Sequence, residues 1–231
     1  MFCFYILLKS NMITIKYDYG FQTCANSFDE LLTFNDYDFI SEIDCSNNTL
    51  TSLPILPVYL VKLDCSNNNL TQLPELPPFL ECLYCTNNKL TILPEIPKTL
   101  GWLYVSDNNL TELPILPPKL RMLYCSNNQL NRLPEIPRKV KYCYCLNNNI
   151  NDLPDMPENL QHIGFNDNPI RNFIDTYFDG RTRLYFEWKD SYKKIYASKL
   201  SDWFLDCKYN PKYKYCRDRV NAEYDELLVN C

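Results

Sequence analysis

From Ile40 to Ile170 the apolar residues return at fixed offsets, and the whole arrangement recurs every twenty residues. Aligned on that period, LVKLDCSNNNLTQLPELPPF from Leu60, LECLYCTNNKLTILPEIPKT from Leu80 and LGWLYVSDNNLTELPILPPK from Leu100 superimpose. Blocks from Ile40, Leu120, Val140 and Leu160 fall in line with them. Self-similarity at so short a period predicts stacked repeats. Leu63, Leu83, Leu103, Leu123, Cys143 and Ile163 hold one column, and Cys65, Cys85, Val105, Cys125, Cys145 and Phe165 hold the column two residues later. That offset places both columns on one face of a short strand. One unit cannot bury two such side chains alone. Parallel stacking at about 4.8 Å per strand turns them into a continuous core, roughly 29 Å long over seven strands.

The flanks read differently. Ile13–Tyr17 alternates and predicts a strand, and Ser27 with Glu30 three residues later forms a capping-box pattern ahead of Leu31 and Leu32. A strand and a short helix would shield the open end of the first repeat. After Ile170 the period fails. Arg183–Glu187 reads as a final strand. Tyr192, Ile195, Tyr196, Leu200, Trp203, Phe204 and Cys207 then recur at three and four, as on an amphipathic helix. Asn210 and Pro211 supply a cap and first-turn proline for a second helix carrying Tyr213, Cys216, Val220, Tyr224 and Leu227. The expected organisation is an N-terminal cap over 1–39, a solenoid of about seven repeats over 40–170, and a mainly helical C-terminal cap over 171–231.

Prolines set the return path of each repeat. Pro54 and Pro57, Pro74 and Pro77, and their equivalents through Pro154 and Pro157 fix their own backbone angle and push the preceding residue toward extended geometry. A helical return is thereby excluded, and a polyproline-like one is expected. The polar columns are as regular as the apolar ones: Asn48, Asn68, Asn88, Asn108, Asn128, Asn148 and Asn168 each follow a strand. An amide there offers donors and an acceptor to backbone groups that the next strand cannot pair. The string L-x-x-L-x-C-x-x-N-x-L followed by LPxLP resembles the leucine-rich repeat family, in the short twenty-residue form of bacterial effectors. Its wealth of Asn, Tyr, Ile, Lys and Cys is also similar to repeat proteins of giant DNA viruses. The resemblance implies a leucine-rich repeat solenoid with short parallel strands on the concave face, an extended convex side and a helical C-terminal flank. It also implies that the asparagines form the family's ladder.

Composition narrows the function. The formal net charge is −5, with 12 Lys and Arg against 10 Asp and Glu over residues 171–231 and 11 against 18 before them. An acidic repeat body argues against nucleic-acid binding, which neutralises phosphates with basic side chains. The chain opens on a short apolar run with no basic region before it and no A-x-A-like site after it, and the run is far too short to span a bilayer; translation from Met12 is an alternative start. No membrane partner is expected. Gly is scarce, at 4 residues, so no glycine-rich phosphate loop exists. Among the 12 cysteines, Cys45, Cys65, Cys85, Cys125 and Cys145 share a column with Val105 and Phe165, which demands apolar bulk rather than sulfur chemistry. Cys82 and Cys85 have zinc-like spacing but face opposite sides of a strand, so no metal or other cofactor is expected. So many unpaired thiols predict a reducing, intracellular and cytoplasmic setting.

Catalytic patterns are sparse. His162 is the only histidine, at an outward strand position, and the carboxylates are scattered. Effectors with similar repeats carry a ubiquitin-ligase domain whose nucleophile lies in a Cys-x-Asp motif, which Cys216-Arg217-Asp218 matches. A tail of about sixty residues is much shorter than those domains, and Cys216 falls on the apolar face of its helix, so no enzyme is expected. The resemblance implies a protein or peptide partner on the concave face. There the alternation places Tyr84, Tyr104, Tyr124 and Tyr144 in one file and Trp102, Met122 and Tyr142 in the next, with Glu42, Asp44 and Asp64 at the N-terminal end, which suits a ligand with an apolar segment followed by basic residues. Tyr and Trp bury large area with few torsions and keep a polar tip. Ring stacking along the sheet is the alternative reason for the file. An adaptor that also recruits a second partner through the C-terminal helices is the alternative function.

Overall fold

The computed structural model describes residues 12–178, 185–187 and 189–190. The apolar run that opens the chain and the helices expected beyond Asp190, Cys216 included, lie outside the described residues. Two units divide the chain, Met1–Asn172 and Phe173–Cys231.

A nine-stranded sheet runs through the first unit in the order β2-β1-β3-β4-β5-β6-β7-β8-β9. Its body is parallel: β3 (Ile40–Asp44) is followed by β4 (Lys62–Asp64), β5 (Cys82–Tyr84), β6 (Trp102–Tyr104), β7 (Met122–Tyr124), β8 (Tyr142–Tyr144) and β9 (His162–Gly164). Each of the last six has only three residues, too few to persist alone, and its ladder bonds come from the repeats on either side. The register advances by one whole repeat per strand, so Leu63 pairs Leu83, Leu103 pairs Leu123 and Cys143 pairs Ile163. Both apolar columns point inward: Leu63, Leu83, Leu103, Leu123 and Cys143 are fully buried, as are Cys65, Cys85, Val105, Cys125 and Cys145.

Two polar rows pin the turn that follows each strand. The amide of Asn68 donates to the carbonyls of Cys45 at 2.9 Å and Cys65 at 3.0 Å, while its Oδ1 accepts from Leu50 N at 3.0 Å. Asn88, Asn108, Asn128, Asn148 and Asn168 repeat this on their own pairs of repeats. Every such side chain bridges a unit to its predecessor, which makes the ladder an inter-repeat bolt as well as a turn. The preceding residue in each repeat, from Asn47 to Asp167, adopts a positive φ of 49 to 57°. Asn and Asp tolerate that left-handed geometry best among non-glycine residues. The return segments carry no helix, as their prolines dictate, and a Leu60 N to Pro57 O bond of 3.1 Å and its equivalents lead into the next strand.

At the N-terminal end β1 (Ile13–Tyr17) pairs antiparallel with β3 and covers its edge, burying Ile13, Ile15 and Tyr17. Beyond the sequence reading, β2 (Gln22–Ala25) pairs β1 through a turn in which Gly20 has φ 84°. β2 is mostly exposed, so no hydrophobic alternation marks it; ladder pairing rather than burial forms it. The helix α1 (Phe28–Leu31) is one turn, capped by Ser27 Oγ accepting from Glu30 N at 3.2 Å. The Glu30 carboxylate accepts from the backbone and side-chain nitrogens of Asn26, both at 2.8 Å, and those bonds hold it below the usual carboxylate range. At the other end α2 (Pro169–Phe178) succeeds β9. Residues 185–187 are helical, which corrects the strand expected over Arg183–Glu187. A short apolar run fits either period. Here the buried Tyr185 packs edge-on to Phe173 at 6.3 Å, a contact no local pattern encodes.

Candidate functional site

Alternation leaves the first and third residue of each three-residue strand on the face opposite the core, and both are half-buried in β4 to β8. Register makes the third residues a file. Tyr84, Tyr104, Tyr124 and Tyr144 stack with centroids 4.7, 4.6 and 4.8 Å apart, planes 15 to 29° from parallel. Burial pushes the phenols of Tyr84, Tyr104 and Tyr124 above their ordinary pKa, so these rings are neutral donors at physiological pH. The stacking expected as one reason for the file is therefore present. It ends at Gly164, where an added Cβ would stand 2.8 Å from the Tyr144 ring and 3.0 Å from the Leu146 side chain. Only a glycine lets the last ring lie down on the sheet there.

The first residues of the strands form the second file, Cys82, Trp102, Met122, Tyr142 and His162. Tyr104 Oη lies 3.3 Å from Met122 Sδ, tying the two files together. The Arg121 guanidinium sits 5.8 Å from the Trp102 ring, and the exposed His162 stacks on Tyr142 at 5.3 Å. All seven aromatic and methionine residues expected at a binding face thus line one continuous surface. The acids beside it have local partners: Glu42 pairs Lys16 at 2.7 Å, Asp44 accepts from the backbone and hydroxyl of Ser46, and Asp64 accepts from Ser66 N. Their charge is spent on the turns and the N-terminal cap.

Two features of the solenoid escape a reading confined to strands and the Asn48 column. Phe39, Tyr59 and Phe79, exposed just ahead of β3, β4 and β5, stack at 6.0 and 5.8 Å along the edge where strands begin. On the same edge, further along, a cleft of about 500 Å³ opens between Trp102, Arg121, Lys139, Lys141 and Tyr142. Both were legible in the repeat alignment as columns ahead of the inward leucine. Among the described residues no helix is long and apolar enough to cross a membrane, and no three His, Cys, Asp or Glu side chains converge as a metal site.

The repeat signature and the parallel sheet together decide the architecture. The repeat body is a leucine-rich repeat solenoid. The Leucine Rich Repeat family model matches residues 59–80. Among solved structures, YopM of Yersinia enterocolitica is similar at 35% identity and a TM-score of 0.56, over 57% of this chain and 29% of that one. A Shigella effector leucine-rich repeat domain matches at 36% identity and 0.54, over 55% and 59%. YopM of Yersinia pestis, a leucine-rich effector, matches at 38% and 0.55, over 57% and 38%. The chain thus spans less than two thirds of each of these relatives. No curated protein matches it by sequence. The repeats are thus similar to those of bacterial effector proteins.

Proposed function

We propose that this protein is a non-catalytic interaction module that binds a protein or peptide across its concave face. One observation carries the reading: Trp102, Met122 and Tyr142 lie half-exposed beside the stacked tyrosines, an apolar surface that stacking alone does not require. Tyrosine stacking gains a few tenths to about 1 kcal/mol per pair and stiffens the sheet, which lowers the cost of ordering the face on binding. Buried, protonated column thiols suit a reducing intracellular setting. An adaptor role would add a second partner on the C-terminal flank, outside the described residues.

The test is to isolate a partner by cross-linking from the native cell and measure its affinity by calorimetry. Trp102→Ala and Tyr124→Ala are each expected to weaken binding by about 2 kcal/mol, roughly thirtyfold, with unchanged circular dichroism. Unchanged affinity in the double variant would move the site off this face.

A further inference from the structure

The cleft at the strand-entry edge of β6 to β8 joins the concave face, and its chemistry differs from that of the rest of the body. Its floor is apolar, formed by Trp102 and Tyr142; its rim is cationic, formed by the exposed Arg121, Lys139 and Lys141; and no carboxylate lines it. Among the described residues none of the three cations has a salt-bridge partner within 4.0 Å. The fold sets Arg121 and Lys141 on neighbouring repeats, with Lys141 N donating to Arg121 O at 2.8 Å, and both line the cleft. Like charges repel rather than attract, so folding gains nothing from lining one cleft with three cations. The cations also stand out against a body with 11 basic and 18 acidic residues over positions 1–170.

We propose that this cleft receives an acidic, partly apolar peptide segment of a protein partner, a reading that rests on the concave face as the interaction surface and specifies its ligand. Carboxylates would neutralise Arg121, Lys139 and Lys141, while an apolar side chain next to them covers Trp102 and Tyr142. The guanidinium already over Trp102 is held at the ring, where a carboxylate can meet it in its plane without first ordering the side chain. A nucleic acid fits less well, since three cations in an acidic body neutralise few phosphates and the acids elsewhere on the unit repel the rest of the strand.

The probes are a fluorescein-labelled peptide alternating glutamate with leucine, its glutamine counterpart, and single-stranded oligothymidylate, titrated by anisotropy on the full chain at low and physiological salt. The acidic peptide is expected to bind at least about tenfold tighter than the glutamine peptide and to weaken as salt rises. The double charge reversal Arg121→Glu with Lys141→Glu is expected to remove about tenfold or more of that binding. Arg121→Gln with Lys141→Gln, which adds no charge, is expected to give a smaller loss in the same direction. Equal binding of both peptides, or no response to either pair of variants, overturns the proposal. Oligothymidylate binding tighter than the acidic peptide and lost on charge reversal overturns it too, and assigns the cleft to nucleic acid. With a native partner, loss through Tyr124→Ala but not through the charge variants rejects this cleft while the concave-face reading stands. Loss through the charge variants alone rejects the broader face and retains the cleft.

Discussion

At the scale of single residues, two asparagine rows of similar appearance have different roles. The Asn108 amide is buried and donates to Cys85 O at 3.0 Å and Val105 O at 3.2 Å, so Asn108→Ala orphans buried backbone groups. Its row is the costly one. The left-handed row in front of it is exposed, and its side chains link repeat to repeat: Asn67 to Asn47 at 3.0 Å, Asn87 to Asn67 at 2.8 Å, Asn127 to Asp107 at 2.7 Å and Asn147 to Asn127 at 3.0 Å. The chain of bonds breaks between Asn87 and Asp107, because an ionised carboxylate has no N–H to donate. Asp107→Asn restores the donor while keeping a residue that accepts positive φ. It is expected to raise stability by about 0.5 kcal/mol, whereas Asn108→Ala lowers it by about 1 to 3 kcal/mol, both read from urea unfolding.

At the scale of the element, the stacked strands carry a line of thiols whose protonation is coupled to the fold. Burial, helped by Asp44 and Asp64, pushes Cys45 up to about 12 from an ordinary value of 9.0. A hydrogen bond to Cys85 and then burial raise Cys65, burial raises Cys125, and a hydrogen bond to Cys143 and then burial raise Cys145. The unfolded chain releases these protons first, so their contribution is complete below about pH 9 and falls as pH climbs through about 12. Thermal midpoints are expected to hold to about pH 9 and then decline steeply, and a column variant such as Cys45→Val to decline less. Among the cysteines of the described residues, a thiol reagent at neutral pH is expected to label the exposed Cys24 readily and the column cysteines only with denaturant. A flat alkaline profile or rapid native labelling of the column contradicts the buried assignment.

At the scale of the whole molecule, repeats are stable only while their ends are covered. β1 supplies the partner that β3 lacks, with Ile15 facing Ile43 and Lys16 facing Glu42, while Ser41 Oγ bonds Lys16 O at 3.0 Å. Phe28 and Leu31 of α1 are buried at the same end. Deleting residues 1–39 uncovers the β3 edge and the apolar end of the core. The truncated protein is expected to aggregate or to lose several degrees of thermal midpoint, measured by light scattering and calorimetry. A monomer of unchanged stability would show that the first repeat caps itself.

The period of twenty determined by itself the strands β3 to β9, the inward columns, the extended return and the two aromatic files, because in a solenoid each position meets only its own kind one repeat away. Local pattern and tertiary contact are then the same information. Where the period stops, that identity ends, and the tertiary structure decided the rest. β2 exists through pairing to β1, and residues 185–187 are helical with Tyr185 packed on Phe173. The same holds within the repeats for side chains that choose between partners. Glu42, Asp44 and Asp64 suit a basic ligand segment in sequence, yet Lys16 and the turn hydroxyl and N–H groups take them. Arg121 and Lys141 stand twenty residues apart in the chain, yet stacking sets them on neighbouring repeats, where both line one cleft with Trp102 and Tyr142. Charge at one position says nothing of what stands across from it until the chain has folded back to put something there.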